Sequence, residues 1–75
     1  MYRIKVRIDT QSDVIKFVQL AESIEDYDVF LEDNNEHCVN AKSLLGVMYG
    51  KVEYNEIYVR SDYSRLGNIF KEFMI

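Results

Sequence analysis

The chain has no proline, no tryptophan, one histidine, one cysteine and three glycines among its 75 residues. Without proline, repeats or a low-complexity stretch there is no linker signature, so residues 1–75 are expected to form a single domain. The lone cysteine, Cys38, cannot close an internal bridge, which fits a reducing cytoplasm and excludes a disulfide scaffold. No long hydrophobic run occurs. The N-terminal segment alternates charged and apolar residues, so it reads as neither a signal peptide nor a membrane span, and a soluble, cytoplasmic protein without a membrane partner is expected. Excess base is also missing: 9 Lys and Arg stand against 13 Asp and Glu, for a net charge of −4. That balance disfavours nucleic acid, because neutralising phosphates needs surplus Lys and Arg. There is no glycine-rich phosphate loop and no zinc-ligand spacing, so no cofactor or metal is expected.

What the chain does have is material for a core. Hydrophobic residues make up 48% of it, including six Tyr and four Phe. A domain of this size buries about 60% of its unfolded surface, so it can fold without staples, with a stability of only a few kcal/mol. The acids are clustered: Glu25, Asp26, Asp28, Glu32, Asp33 and Glu36 follow one another with no Lys or Arg between them. Solvated faces and pairing across strands account for such a run, and an acidic docking patch is the sharper alternative.

The hydrophobic periodicity gives the element order. Tyr2, Ile4, Val6 and Ile8 alternate with Arg3, Lys5 and Arg7, a strand with one polar face. The capping residues from Asp9 to Asp13 then precede Val14, Phe17, Val18, Ala21 and Ile24 at helical spacing, predicting a helix over residues 12–24. Tyr27 to Glu32 alternates again and ends in the turn signal Asp33-Asn34-Asn35, followed by a short strand over 37–40. Lys42 to Met48 reads as a short apolar helix stopped near Gly50, Glu56 to Arg60 as a fourth strand, and 61–74 as a closing helix with Leu66, Ile69, Phe70 and Phe73 on one face. The order β-α-β-β-α-β-α with polar strand faces implies an α+β fold, a four-stranded antiparallel sheet covered on one side by three helices.

The stretch Val39-Asn40-Ala41-Lys42-Ser43-Leu44-Leu45-Gly46-Val47-Met48 resembles the regulatory serine segment of the phosphocarrier protein HPr family of the sugar phosphotransferase system. The resemblance covers nearly the whole chain in element order, and implies the HPr-like open-faced β-sandwich. Family members carry a Gly-x-His-x-Arg-Pro loop, with the phosphorylated histidine at the start of the first helix. Here Asp9 to Asp13 has no His, Arg, Pro or Gly; Thr10 falls about where the histidine would be and Ser12 about where the arginine would be. A hydroxyl needs an adjacent base to become a nucleophile, so a divergent, non-catalytic member is expected rather than an enzyme. In this it resembles the catabolite-repression relatives of HPr, which lack the histidine and keep the serine, though this chain also lacks the neighbouring arginine.

The resemblance assigns Ser43 as the candidate for regulatory phosphorylation by an HPr kinase. It also makes Lys42, Leu44 and Met48 candidates for binding a protein partner, such as that kinase or a catabolite-control regulator. Physically, a phosphate at Ser43 would sit at the positive end of a helix beside an ammonium, while a helix cap alone is sufficient reason for a serine there. Two alternatives remain open. One is a phosphocarrier using a non-standard acceptor, for which His37 is the one imidazole present. The other is a structural module that self-associates, as a homodimer, through Phe30 and Tyr58, which strand alternation places on the open sheet face. His37 and Cys38 are adjacent strand residues that point to opposite faces, which disfavours a shared metal.

Overall fold

The structure, a computed structural model, describes residues 1–75. Its strands are β1 (Tyr2–Val6), β2 (Val29–Glu32), β3 (Cys38–Asn40) and β4 (Ile57–Ser61), and its helices α1 (Gln11–Glu22), α2 (Leu44–Glu53) and the short α3 (Leu66–Ile69). The sheet is antiparallel throughout in the order β1-β4-β2-β3, with Ile4 opposite Val59 and Val59 opposite Leu31 across its centre. Val6, Val29, Leu31, Ile57 and Val59 point to the helices and are buried, whereas Arg3, Lys5, Phe30, Glu32, Tyr58 and Arg60 occupy the open face. The α+β architecture expected from the periodicity is the one found.

α1 begins one residue before the expected start because Thr10, not a later residue, is its N-cap. The Thr10 hydroxyl accepts the Asp13 N–H at 3.0 Å, and the Asp13 carboxylate accepts the N–H groups of Thr10 and Asp9, each at 3.1 Å. This reciprocal box satisfies donors that a helix start otherwise leaves open. Val14, Phe17, Val18 and Ala21 face the sheet. The Phe17 ring is fully buried, 4.5 Å from Phe70 and 5.4 Å, edge-on, from Phe73.

Several boundaries shift by one or two residues, and two elements differ from expectation in kind or extent. α2 does not stop near Gly50 but continues to Glu53, and the last segment is not one helix but α3 followed by a 3₁₀ turn at Lys71–Phe73. At the C-terminus, Gly67 and Asn68 are poor helix formers and no side chain caps the start. The chain then pairs with β1: Arg7 N–H donates to the Phe73 carbonyl at 2.8 Å, and Val6 bridges Met74. That contact covers part of an otherwise open sheet edge. No helix is long and apolar enough to cross a membrane.

Candidate interaction site on the second helix

The reason α2 carries a glycine at position 50 is steric. A Cβ at Gly50 would lie 2.8 Å from Leu31 Cδ2 and 3.1 Å from the Tyr54 ring, and one at Gly46 would lie 3.0 Å from the Asn40 carbonyl oxygen. The two glycines are four apart, on one face of the helix, and with Val47 they let its backbone settle close to β2 and β3. Gly50 is buried and Val47 has no exposure. The large apolar residues are left on the other side: Leu45 is 79% exposed, Val52 78%, Tyr49 56%, Leu44 46% and Met48 36%. Leu45, Met48, Tyr49 and Val52 follow i, i+3, i+4, i+7 spacing, a continuous apolar stripe that faces outward. Between this stripe and α1, Gln11, Val14, Met48, Lys51 and Val52 line a shallow cavity of about 190 Å³.

Ser43 is the N-cap of α2, half-buried, its hydroxyl accepting the Gly46 N–H at 3.2 Å. The preceding turn is held by Asn40, whose side-chain oxygen accepts the Lys42 N–H at 2.9 Å and whose carbonyl accepts the Ser43 N–H at 3.0 Å. The N–H groups of Leu44 and Leu45 take no partner within the chain, and no acid stands in the first turn. The positive pole of this helix is therefore free of internal carboxylates, with Lys42 beside it. The start of α1 is the reverse. The N–H groups of Thr10 and Asp9 hold the Asp13 carboxyl below its ordinary range, and Arg7 is engaged by Asp9 at 2.9 Å. An incoming phosphoryl group would meet two carboxylates there, and no imidazole.

Of the residues singled out in the sequence, Lys42, Ser43, Leu44 and Met48 share the start and outer side of α2. Leu45, Tyr49 and Val52 complete the stripe and were missed. Their signal was the paired glycines at i and i+4, which assign the inward face to small residues and the outward face to large ones. Phe30 and Tyr58 lie elsewhere, on the adjacent strands β2 and β4, and both are half-buried under arginines. The Arg3 guanidinium sits 3.6 Å over the Tyr58 ring and that of Arg60 4.8 Å from the Phe30 ring. These cations cover much of the apolar surface that self-association there would use.

His37 and Cys38 are both exposed. Cys38 lies at the start of the short edge strand, and His37 belongs to the β2–β3 turn. Its Nδ1 lies 3.0 Å from Asp33 Oδ2, while the other Asp33 oxygen accepts the N–H groups of Asn35 and His37. Burial pushes the Asp33 carboxyl up, but the His37 ring and these N–H groups outweigh it and leave its pKa lowered. The cluster closes a hairpin whose Glu36 has a φ of 68°.

No family model and no curated protein matches the chain. Its structure is similar to the crystal structure of HPr-C-His from Thermoanaerobacter tengcongensis, with a TM-score of 0.69 and 23% sequence identity, over 95% of this chain and 84% of that one. At that identity the likeness concerns architecture, and the fold of this protein is HPr-like.

Proposed function

We propose that the protein is a non-catalytic, HPr-like binding module related to the sugar phosphotransferase system, which docks a protein partner on α2 and is regulated at Ser43. The observation that carries this reading is the inverted burial of α2. Exposing a contiguous row of large apolar side chains is costly for a small domain, and such patches mark association surfaces. Met48 and Leu44 add adaptable contacts, and Lys42 and Lys51 supply positive charge at the edges. Ser43 stands at the head of the same stripe, so a phosphate on it would place about −1.5 to −2 charge beside the docking residues. The free N–H groups of Leu44 and Leu45, the helix dipole and Lys42 would hold that charge. A partner could then read the modified helix start and the apolar stripe together.

The test is incubation of the full chain with an HPr kinase and ATP. Addition of one phosphoryl group, abolished by Ser43→Ala, is the expected result; no mass increase, or an increase that survives Ser43→Ala, overturns the regulatory part. The docking part is checked separately by binding to a catabolite-control regulator. Leu45→Asp is expected to weaken that binding at least tenfold, equivalent to about 1.4 kcal/mol, and unchanged affinity would overturn it.

A further inference from the structure

The acidic run of the sequence divides in the folded molecule. Glu32 is taken up between Arg3 and Arg60, at 3.3 and 2.7 Å, and Asp33 by its hairpin. Glu25, Asp26 and Asp28 make none of the seven ion pairs, and no Lys or Arg occurs between Lys16 and Lys42. Glu25 and Asp26 border a surface with aromatic walls. β2 and β4 pair Val29 with Ser61, and just beyond this last pair the side chains of Tyr27 and Tyr63 meet. The two tyrosine rings lie 5.5 Å apart, inclined at 51°. Tyr63 is fixed against the core, its N–H donating to Ser61 Oγ at 3.2 Å, while Tyr27 is 44% exposed. With Ile24 they bound a cleft of about 260 Å³, rimmed by Ser23, Glu25 and Asp26.

The open sheet face of the same molecule shows what such rings accept. There Tyr58 and Phe30 each have an arginine of the chain against them. The Tyr27–Tyr63 cleft has rings and surplus carboxylates but no cation of its own. The N-terminal ammonium reaches only Asp62, at 3.8 Å, and Arg65, two residues beyond Tyr63, pairs with none of these acids.

We propose that the cleft beside the packed Tyr27 and Tyr63 rings docks an arginine side chain of a protein partner against the exposed Tyr27, with Glu25 and Asp26 receiving its charge. Arginine fits better than lysine. Its guanidinium is planar and weakly hydrated, so it stacks on a tyrosine face and offers a fork to a carboxylate at the same time. The cleft is built from the α1–β2 and β4–α3 loops, which contribute nothing to the outward face of α2, so the inference stands apart from the function proposed above.

The experiment is a titration of the ¹⁵N-labelled full chain with an amidated tetraarginine peptide and, separately, a tetralysine peptide of equal charge. Tetraarginine is expected to bind about three- to fivefold more tightly, with amide shifts confined to residues 23–28 and 62–64. Tyr27→Ser, an exposed change that leaves the charge unaltered, is expected to abolish that preference, and Tyr27→Phe to retain it. Glu25→Gln with Asp26→Asn is expected to weaken both peptides. Equal binding of the two peptides, shifts centred instead on Glu53 and Glu56, or a preference that survives Tyr27→Ser would each overturn the proposal.

Discussion

α1 and α2 cover the same sheet and have similar lengths, 12 and 10 residues, yet they bury opposite kinds of side chain. α1 turns Val14, Phe17, Val18 and Ala21 inward. α2 turns Gly46, Val47 and Gly50 inward and shows its large apolar residues to solvent. Their starts differ in the same sense. A carboxylate of the chain closes the positive pole of α1, whereas only a hydroxyl caps that of α2. One helix spends its apolar surface on the core, and the other keeps that surface available. A helix that contributes little side-chain volume to the core can change its outer residues without unfolding the domain, which suits an element that presents a surface.

The comparison can be broken most forcefully at its centre. Phe17→Ala removes the ring that packs on Phe70 and Phe73, and is expected to cost about 3–5 kcal/mol, comparable to the whole stability of so small a domain. Leu45→Ala, an equally drastic truncation on α2, is expected to change stability by no more than about 0.5 kcal/mol. Chemical denaturation of the two variants measures the difference directly, and similar losses would mean that α2 is a core helix after all.

A smaller effect is expected at Gly50. In an exposed helix interior Gly→Ala gains about 1 kcal/mol. Here the added methyl meets Leu31, which has no exposure, and the Tyr54 ring, and overpacking of that kind costs about 1–3 kcal/mol. A net loss in the denaturation midpoint is therefore expected for Gly50→Ala. A gain would show that α2 can lift away from the sheet at little cost, and would remove the steric reason for its inverted burial.

The slightest effect concerns pH and sharpens the contrast between the two helix starts. The folded Asp13 carboxyl lies below its ordinary range because the N–H groups of Thr10 and Asp9 stabilise its charged form. Its unfolded value is about 3.9. The stabilisation it supplies is thus complete above that value and is lost as pH falls from about 4 through the lowered folded pKa. Asp13→Asn is expected to flatten the fall in stability below about pH 4, whereas Ser43→Ala, which alters a cap that does not titrate, leaves its slope unchanged. Asp33, also lowered, keeps a residual slope in both variants. Urea midpoints between about pH 2 and 6, which bracket the carboxylate range, check this, and an equal slope in wild type and Asp13→Asn would refute it.

Much of the fold was legible because alternation along a strand is a local property. Val29 and Leu31 face in, and Phe30 and Glu32 face out, as their spacing indicates. Boundaries were less legible. The N-cap of α1 settled at Thr10 because the choice among adjacent capping residues was decided by which hydroxyl and carboxylate could bond reciprocally. The closing segment broke into α3 and a 3₁₀ turn because Phe73 and Met74 had to reach β1. The candidate site was half legible. Ser43, Leu44 and Met48 were found from their resemblance and spacing, but Leu45, Tyr49 and Val52 were not, since an apolar helix does not announce which of its sides meets the sheet.

The sequence by itself determined the order of the elements and the absence of an imidazole at the start of α1, because composition and periodicity act through neighbouring residues. Only the tertiary structure decided that Gly46 and Gly50 lie against the strands and that Tyr27 stands beside Tyr63. It also decided that Arg3 and Arg60 cover the aromatic rings of the open face. Each of these depends on register and on the approach of segments distant in the chain, and close packing allows one such arrangement where local pattern allows several.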